Sequence, residues 1–348
     1  MALLSTLSLS ANLALFTVLA AVVWFTGTRL SYLADAIAKQ TGVSRAIMGL
    51  IFLAAITSLP ELVTTSAAAI KGDAALALNN ILGGITMQTA ILAVADAIAI
   101  RVTLSSFPRK PTPILEGAIL ILLLTTTLVI ISIGETPLFF NVGLGATLLA
   151  SIYFISIRVL NRYDKDHPWQ PVNLPEPEDV PQILPLHALH DLPLRTLIMQ
   201  SCGVAVVILV CGILLVETSA AIADQSGLGS SFIGVTLLAA TTSLPELSTT
   251  IAAVRMGAYT MAVSNIFGSN LIMVFVLFPA DFFYREGVIL NEAGETAQLA
   301  LLSGIVVTTI YIIGLLIKKK PRIAGMGLDS ILVLGVYLVS VYAFYTVR

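Results

Sequence analysis

Apolar residues run along this chain in long blocks separated by short polar breaks, from residue 9 almost to the last. About 20 consecutive apolar residues suffice to cross a bilayer core as a helix. The blocks predict ten spans, near 9–31, 44–70, 74–99, 113–134, 138–160, 196–221, 231–255, 258–282, 297–317 and 326–346. The expected fold class is therefore all-α and integral to a membrane. Residues 162–194 break the pattern, with Pro168, Pro171, Pro175, Pro177, Pro181, Pro185 and Pro193 among acidic side chains. Proline fixes its own backbone and lacks an amide donor, so this segment reads as a polar linker outside the membrane. It divides the chain into 1–161 and 195–348, with five expected helices in each.

Composition agrees: 57% of residues are hydrophobic and 11% charged, against roughly a quarter charged in soluble domains. A net charge of −2 says little about partners, and no basic, aromatic-interleaved patch points to nucleic acid, so none is expected. The expected partners are the lipid bilayer and inorganic cations, and the expected unit is a monomer. The run from Ala11 to Phe25 lacks a basic leader and reads as a retained first helix. Cys202 and Cys211 share one apolar run, too far apart on a helix for a disulfide. His167, His187 and His190 fall in the linker and read as solvated, as does its acidic cluster (Asp164, Asp166, Glu176, Glu178 and Asp179). The spans hold no HExxH, no GxSxG and no nucleophile–base pair, so the chain is expected to be no enzyme and to need no cofactor.

The two halves repeat. "TSLPEL" stands at 57–62 and again at 242–247, an offset of 185 residues that also pairs Gly72 with Gly257, Asn80 with Asn265, Gly83 with Gly268 and Asp96 with Asp281. Compositional bias cannot generate a six-letter run containing Pro and Glu, so the halves are duplicates. With an odd number of spans per half, the second copy enters from the opposite side and the repeats are inverted. Of the 18 Lys and Arg residues, 15 then fall on the cytoplasmic side, and only Lys71, Arg285 and Arg348 fall outside. This fits the positive-inside rule, with both termini outside, the linker cytoplasmic and the chain in the cell membrane.

The repeated motif places Thr57, Glu61 and Thr64 or Thr65 on one helical face, and Thr242, Glu246 and Thr249 or Thr250 likewise. An ionised side chain at the bilayer centre costs at least ~2.5–3.5 kcal/mol. Pro60 and Pro245 leave helix carbonyls without partners, which is costly in lipid as well. A cation meets both costs. Two carboxylates, freed carbonyls near Thr57 and Thr242 and nearby hydroxyls supply hard oxygens of the kind Ca²⁺ takes six to eight of. A second matching block, 77–88 with 262–273, adds Asn80, Asn265 and Gln88 as further polar candidates beside close-packing glycines. Asp96 and Asp281, near helix ends, read as caps.

These features resemble the cation/Ca²⁺ antiporter superfamily, specifically its Na⁺/Ca²⁺ exchanger branch: paired "TSLPEL", the "GSN" at 268–270, ten spans and a central loop. The resemblance covers nearly the whole chain. It implies an antiporter in which Glu61 and Glu246, with backbone oxygens of Thr57 and Thr242, hold Ca²⁺. Ser58, Ser243 and Ser269, with the carbonyls of Ala54 and Ala239, would contribute to flanking Na⁺ sites. The first helix of each half would slide across a fixed core to give alternating access. The chain also departs from the pattern: Gly84 stands where a hydroxyl is expected, and Gln88 and Met273 where a pair of polar groups is usual. The first repeat's flanking site loses a ligand, while its counterpart keeps Ser243 and Ser269. Two other readings stay open, a proton-coupled divalent-cation antiporter and, in a different class, a cation channel.

Overall fold

A computed structural model of the chain describes residues 7–99, 103–139, 142–166, 189–226, 240–318, 321–323 and 325–346. Eleven helices carry the fold: α1 (Leu9–Thr41), α2 (Arg45–Thr57), α3 (Leu59–Ile70), α4 (Ala74–Ala99), α5 (Thr112–Ile133), α6 (Leu144–Asp166), α7 (Leu194–Ser226), α8 (Leu244–Arg255), α9 (Tyr259–Phe283), α10 (Glu295–Leu316) and α11 (Leu328–Thr346). Eight of them are long and apolar enough to cross a membrane singly. Arg45–Thr57 and Leu59–Ile70 pass the same test together, as a pair of helices bent by 46° at the break between them. The first half of the tenth expected span, near 231–255, lies outside the described residues.

The bend follows from sequence. Proline has no N–H to continue the helix from the preceding turn. The chain therefore breaks at Ser58 (φ −83, ψ 4), and α3 restarts with Pro60 in its first turn, where the missing donor is not needed. Ser243 (φ −84, ψ 3) and Pro245 do the same ahead of α8. Two expected ends moved. Helix α1 continues ten residues past residue 31, because the alanine-rich stretch 32–41 stays helical until Gly42, whose φ of 70 provides the left-handed stop. The fifth span starts at Leu144 instead of 138, because Pro137–Phe139 (β1) pairs with Val142–Gly143 (β2) in a small antiparallel hairpin.

The offset of 185 residues seen in the letters recurs in the architecture. Leu9, Leu59 and Ala74 begin α1, α3 and α4, and Leu194, Leu244 and Tyr259 begin α7, α8 and α9. The β1–β2 hairpin has its mate in Arg322–Ile323 (β3) paired with Met326–Gly327 (β4). Asp96 accepts from the Leu104 amide (2.6 Å) and, across the halves, from the Gly327 amide (2.7 Å). Asp281 accepts from Ile289 (2.7 Å) and, across the halves, from Gly143 (2.6 Å). Each aspartate thus fastens the short turn that follows its own helix and pins the other half's hairpin.

Helices α4 and α9 are the most enclosed of the long helices, while α1, α7 and α11 turn much of their apolar surface outward. Glycines set the closest crossings. A Cβ on Gly49 of α2 would collide with the Met261 carbonyl of α9, and one on Gly268 of α9 with the Leu50 carbonyl of α2. Gly27 of α1 meets Ser248 of α8, and its mate Gly212 of α7 meets Pro60 of α3, where a Cβ would lie 2.7 Å from the proline ring. Each long helix therefore crosses the other half's broken helix at a glycine.

Candidate cation site

The two breaks bring Glu61 and Glu246 into the middle of the bundle. Glu61 is 1% exposed and Glu246 is fully buried. They lie close enough for their charges to interact. Their surroundings differ. Glu246 Oε1 accepts from Ser269 Oγ at 3.0 Å, Ser58 Oγ and Ser269 Oγ are 2.7 Å apart, and Thr57 Oγ1 approaches Ser269 at 3.4 Å. Glu246 Oε2 has no hydrogen-bond partner, nor has either oxygen of Glu61. No lysine, arginine or histidine forms an ion pair with either glutamate among the described residues.

The offset explains this imbalance. Flank one consists of Ser58, Ser269 and Glu246, and its mates are Ser243, Gly84 and Glu61. In flank two the serine hydroxyl, Ser243 Oγ, has no partner. A Cβ at Gly84 would lie 3.1 Å from Met273 Cε, so the thioether fills the place a side chain at 84 would take. Gly84 and Met273 thus pack against each other. Gln88, the mate of Met273, is fully buried, and neither end of its amide has a partner. Of the serines expected at the flanking sites, Ser269 lies beside Ser58 across the halves, and Ser243 is buried at the second break.

Among the other expected residues, Thr57 and Thr242 are buried at the breaks, and the Ala54 carbonyl accepts from the Ser58 amide (3.0 Å) and more weakly from the Thr57 hydroxyl (3.4 Å). Ala239 lies outside the described residues. Asn80 donates to Thr65 (2.8 Å) and Thr64 (3.3 Å), and Asn265 to Thr249 (3.0 Å) and Thr250 (3.3 Å). Both amides tie the glutamate-bearing helix to the next helix of the same half, and Asn265 Oδ1 is left without a partner. Among the described residues no cluster of three or more His, Cys, Asp or Glu is present. The centre is a two-carboxylate site completed by neutral oxygens.

Two features, Glu116 and the setting of His190, escaped the sequence reading, whereas Asn270 makes the kind of bond within the bundle that its side chain suggests. Glu116 is a fully buried carboxyl on α5; its signal was a single acid inside an apolar run. Asn270 donates to Thr89 at 3.0 Å, linking α9 to α4 beside the site. His190 is not solvated: its Nδ1 takes a contact from Lys39 Nζ at 3.2 Å, and Nε2 stands 3.7 Å from Asp35, which pairs with Arg45 at 2.7 Å. The linker's end is thereby fastened to α1, and Gln40 donates to the Leu192 carbonyl at 2.7 Å. Cys202 and Cys211 are free thiols, as expected.

The chain is 27% identical over 274 residues, 77% of its length and 79% of the relative's, to CaxA of Alkalimonas amylolytica. A shorter stretch of 62 residues, 18% of each chain, is 42% identical to the sodium/calcium exchanger MaX1 of Methanosarcina acetivorans. The fold superposes on the sodium–calcium exchanger NCX_Mj with a TM-score of 0.70 at 18% identity, covering 97% of this chain and 99% of that one. The model of the sodium/calcium exchanger protein family matches residues 11–160 and 197–347. With both halves matched, the chain belongs to the sodium/calcium exchanger family of membrane antiporters.

Proposed function

We propose that this protein is a secondary antiporter that carries a divalent cation of the Ca²⁺ class across the cell membrane against monovalent cations. The observation that carries this reading is the pair Glu61 and Glu246, buried at matched helix breaks and, among the described residues, without an ion pair to either. A buried carboxylate without a partner costs several kcal/mol. Two of them together balance one divalent ion, and the hydroxyls, amides and opened backbone around them are the hard oxygens such an ion takes. Sites at a repeat interface, made of broken helices, suit alternating access better than a continuous pore.

The duplicated architecture supports two inverted five-helix repeats, 1–161 and 195–348. Residues 161–196, which the family model leaves between its matched segments, fit a cytoplasmic linker at 162–194, with both termini outside.

The coupling ion is Na⁺ in the first reading and H⁺ in the second. The Gly84–Met273 packing favours reduced sodium coupling, because flank two offers no side-chain oxygen at 84 and a thioether at 273, a poor partner for a hard cation. Two glutamates exchange one divalent ion for two monovalent charges without net charge movement, so near-electroneutral exchange is expected. Uptake of ⁴⁵Ca²⁺ into proteoliposomes under imposed Na⁺, K⁺ or H⁺ gradients tests the reading. Glu61→Gln and Glu246→Gln should each abolish flux in a folded protein, and parental flux in either variant would remove that glutamate from the site.

A further inference from the structure

The Glu116 carboxyl takes no part in the central site. It lies on α5 one turn past Thr112 and is fully buried. Its Oε1 accepts from Ser264 Oγ of α9 at 2.9 Å, and its Oε2 has no partner. Duplication did not supply it, since the residue at the matching offset is Leu301.

Among the described residues no cation pairs with it, and Lys318, just after α10, donates to the Pro108 carbonyl at 2.9 Å. Lys110, just before α5, is engaged by Asp164 of α6 at 3.0 Å, and Asp164 also accepts from Thr112 at 2.9 Å. From α9 the facing polar group is the neutral Ser264 hydroxyl. From α10, Ile312 packs beside Gly117, and Tyr311 stands edge-on to Phe267 with its hydroxyl unpartnered. The charge that reaches Glu116 is therefore Asp164, another anion. An ionised Glu116 would be a buried carboxylate with one neutral donor and no counter-ion, which costs several kcal/mol. A metal ion is a poor remedy: one carboxyl and one hydroxyl fall far short of the six to eight oxygens Ca²⁺ takes. A proton needs a single acceptor.

We infer that Glu116, held by Ser264, is a proton-binding site separate from the Glu61–Glu246 centre, and that it sets how transport responds to pH on the Lys110–Asp164 side of the membrane. The physical link is short. Ser264 precedes Asn265, whose amide ties α9 to Thr249 and Thr250 on α8, the helix that carries Glu246 in its first turn. Ionising Glu116 draws water and new hydrogen bonds to Ser264, next to that tie.

Infrared difference spectroscopy on the full-length protein in lipid tests the proton site without any transport assay. At neutral pH the wild type should show a carbonyl band of a protonated carboxylic acid that Glu116→Gln lacks. Ser264→Ala removes the hydroxyl that favours the ionised form and should move the half-titration of that band upward by about one pH unit, tenfold in proton affinity. If the wild-type and Glu116→Gln spectra do not differ, the site does not exist. The pH effect is read by varying pH on one face of oriented vesicles during ⁴⁵Ca²⁺ flux. Glu116→Gln, permanently uncharged, should match the wild type at acid pH and lose its alkaline decline, which Glu116→Asp should keep. Superimposable wild-type and Glu116→Gln profiles would overturn the regulatory part. A chain that moves no Ca²⁺ would defeat the transport reading and leave the spectroscopic result to decide the proton site.

Discussion

Single residues decide how the two flanks of the centre differ. Ser269 serves Ser58, Thr57 and Glu246 together, whereas its mate Gly84 has ceded its space to Met273. Gly84→Ser alone should gain little, because its Cβ meets Met273 Cε at 3.1 Å. Combined with Met273→Ala, it should strengthen sodium dependence of divalent flux, and an unchanged sodium response in the double variant would separate Gly84 from coupling. Outside the spans, burial pushes the Glu135 carboxyl above its ordinary value while the Ala146 amide, donating to it, pulls the other way. A raised acid binds its proton more tightly folded than unfolded, so its stabilising contribution is complete at low pH and is lost as pH rises through the folded value. Glu135→Gln keeps an acceptor for Ala146. Its melting temperature should exceed the wild type's near pH 8 and converge with it near pH 4, roughly the unfolded carboxylate range. The central glutamates were legible because the motif repeats; Glu116 was not, because a search for duplicated letters finds only what was duplicated.

At the scale of elements, glycine sets the crossings. Gly49→Ala and Gly268→Ala push a methyl into a neighbouring backbone carbonyl, which cannot rotate away, and overpacking of this kind costs about 1–3 kcal/mol. Gly203→Ala on α7, whose Cβ would meet nothing within 4 Å, should leave stability unchanged. Unfolding of the purified variants in detergent measures both. The broken helices could be read from Pro60 and Pro245, since proline's missing donor acts locally. The hairpins could not: strands of two or three residues have no periodicity to detect, and long-range amide bonds to Asp96 and Asp281 hold them. The contact of Ser58 with Ser269 could not be read either, because the two meet across the halves and letters alone give no register between them.

For the whole molecule, the inverted-repeat reading makes a sidedness prediction. In a background lacking Cys202 and Cys211, Val43→Cys should react with membrane-impermeant thiol reagents only from the cytoplasm and Glu292→Cys only from outside. Both positions are exposed. Glu135 would be a poor reporter, because its side chain is buried against the hairpin. Labelling with the opposite sidedness would overturn the topology. Clamping the membrane potential during Ca²⁺ flux tests the charge balance, and strong voltage dependence would show that more than two monovalent charges move per divalent ion.

The reciprocal aspartate clasps also bear on how the chain is made. When the first half leaves the ribosome, Asp96 already has Leu104 at hand, but its second donor, Gly327, does not yet exist, and Gly143 still waits for Asp281. Neither half can complete its clasps alone. Early insertion thus yields an open intermediate with unmet carboxylate and amide groups at its membrane edges, and assembly finishes only when the last hairpin is translated. A first half expressed by itself should be degraded rapidly in the cell. Co-expression with the second half should rescue it, because the missing donors need only arrive in the same membrane, not on the same polypeptide.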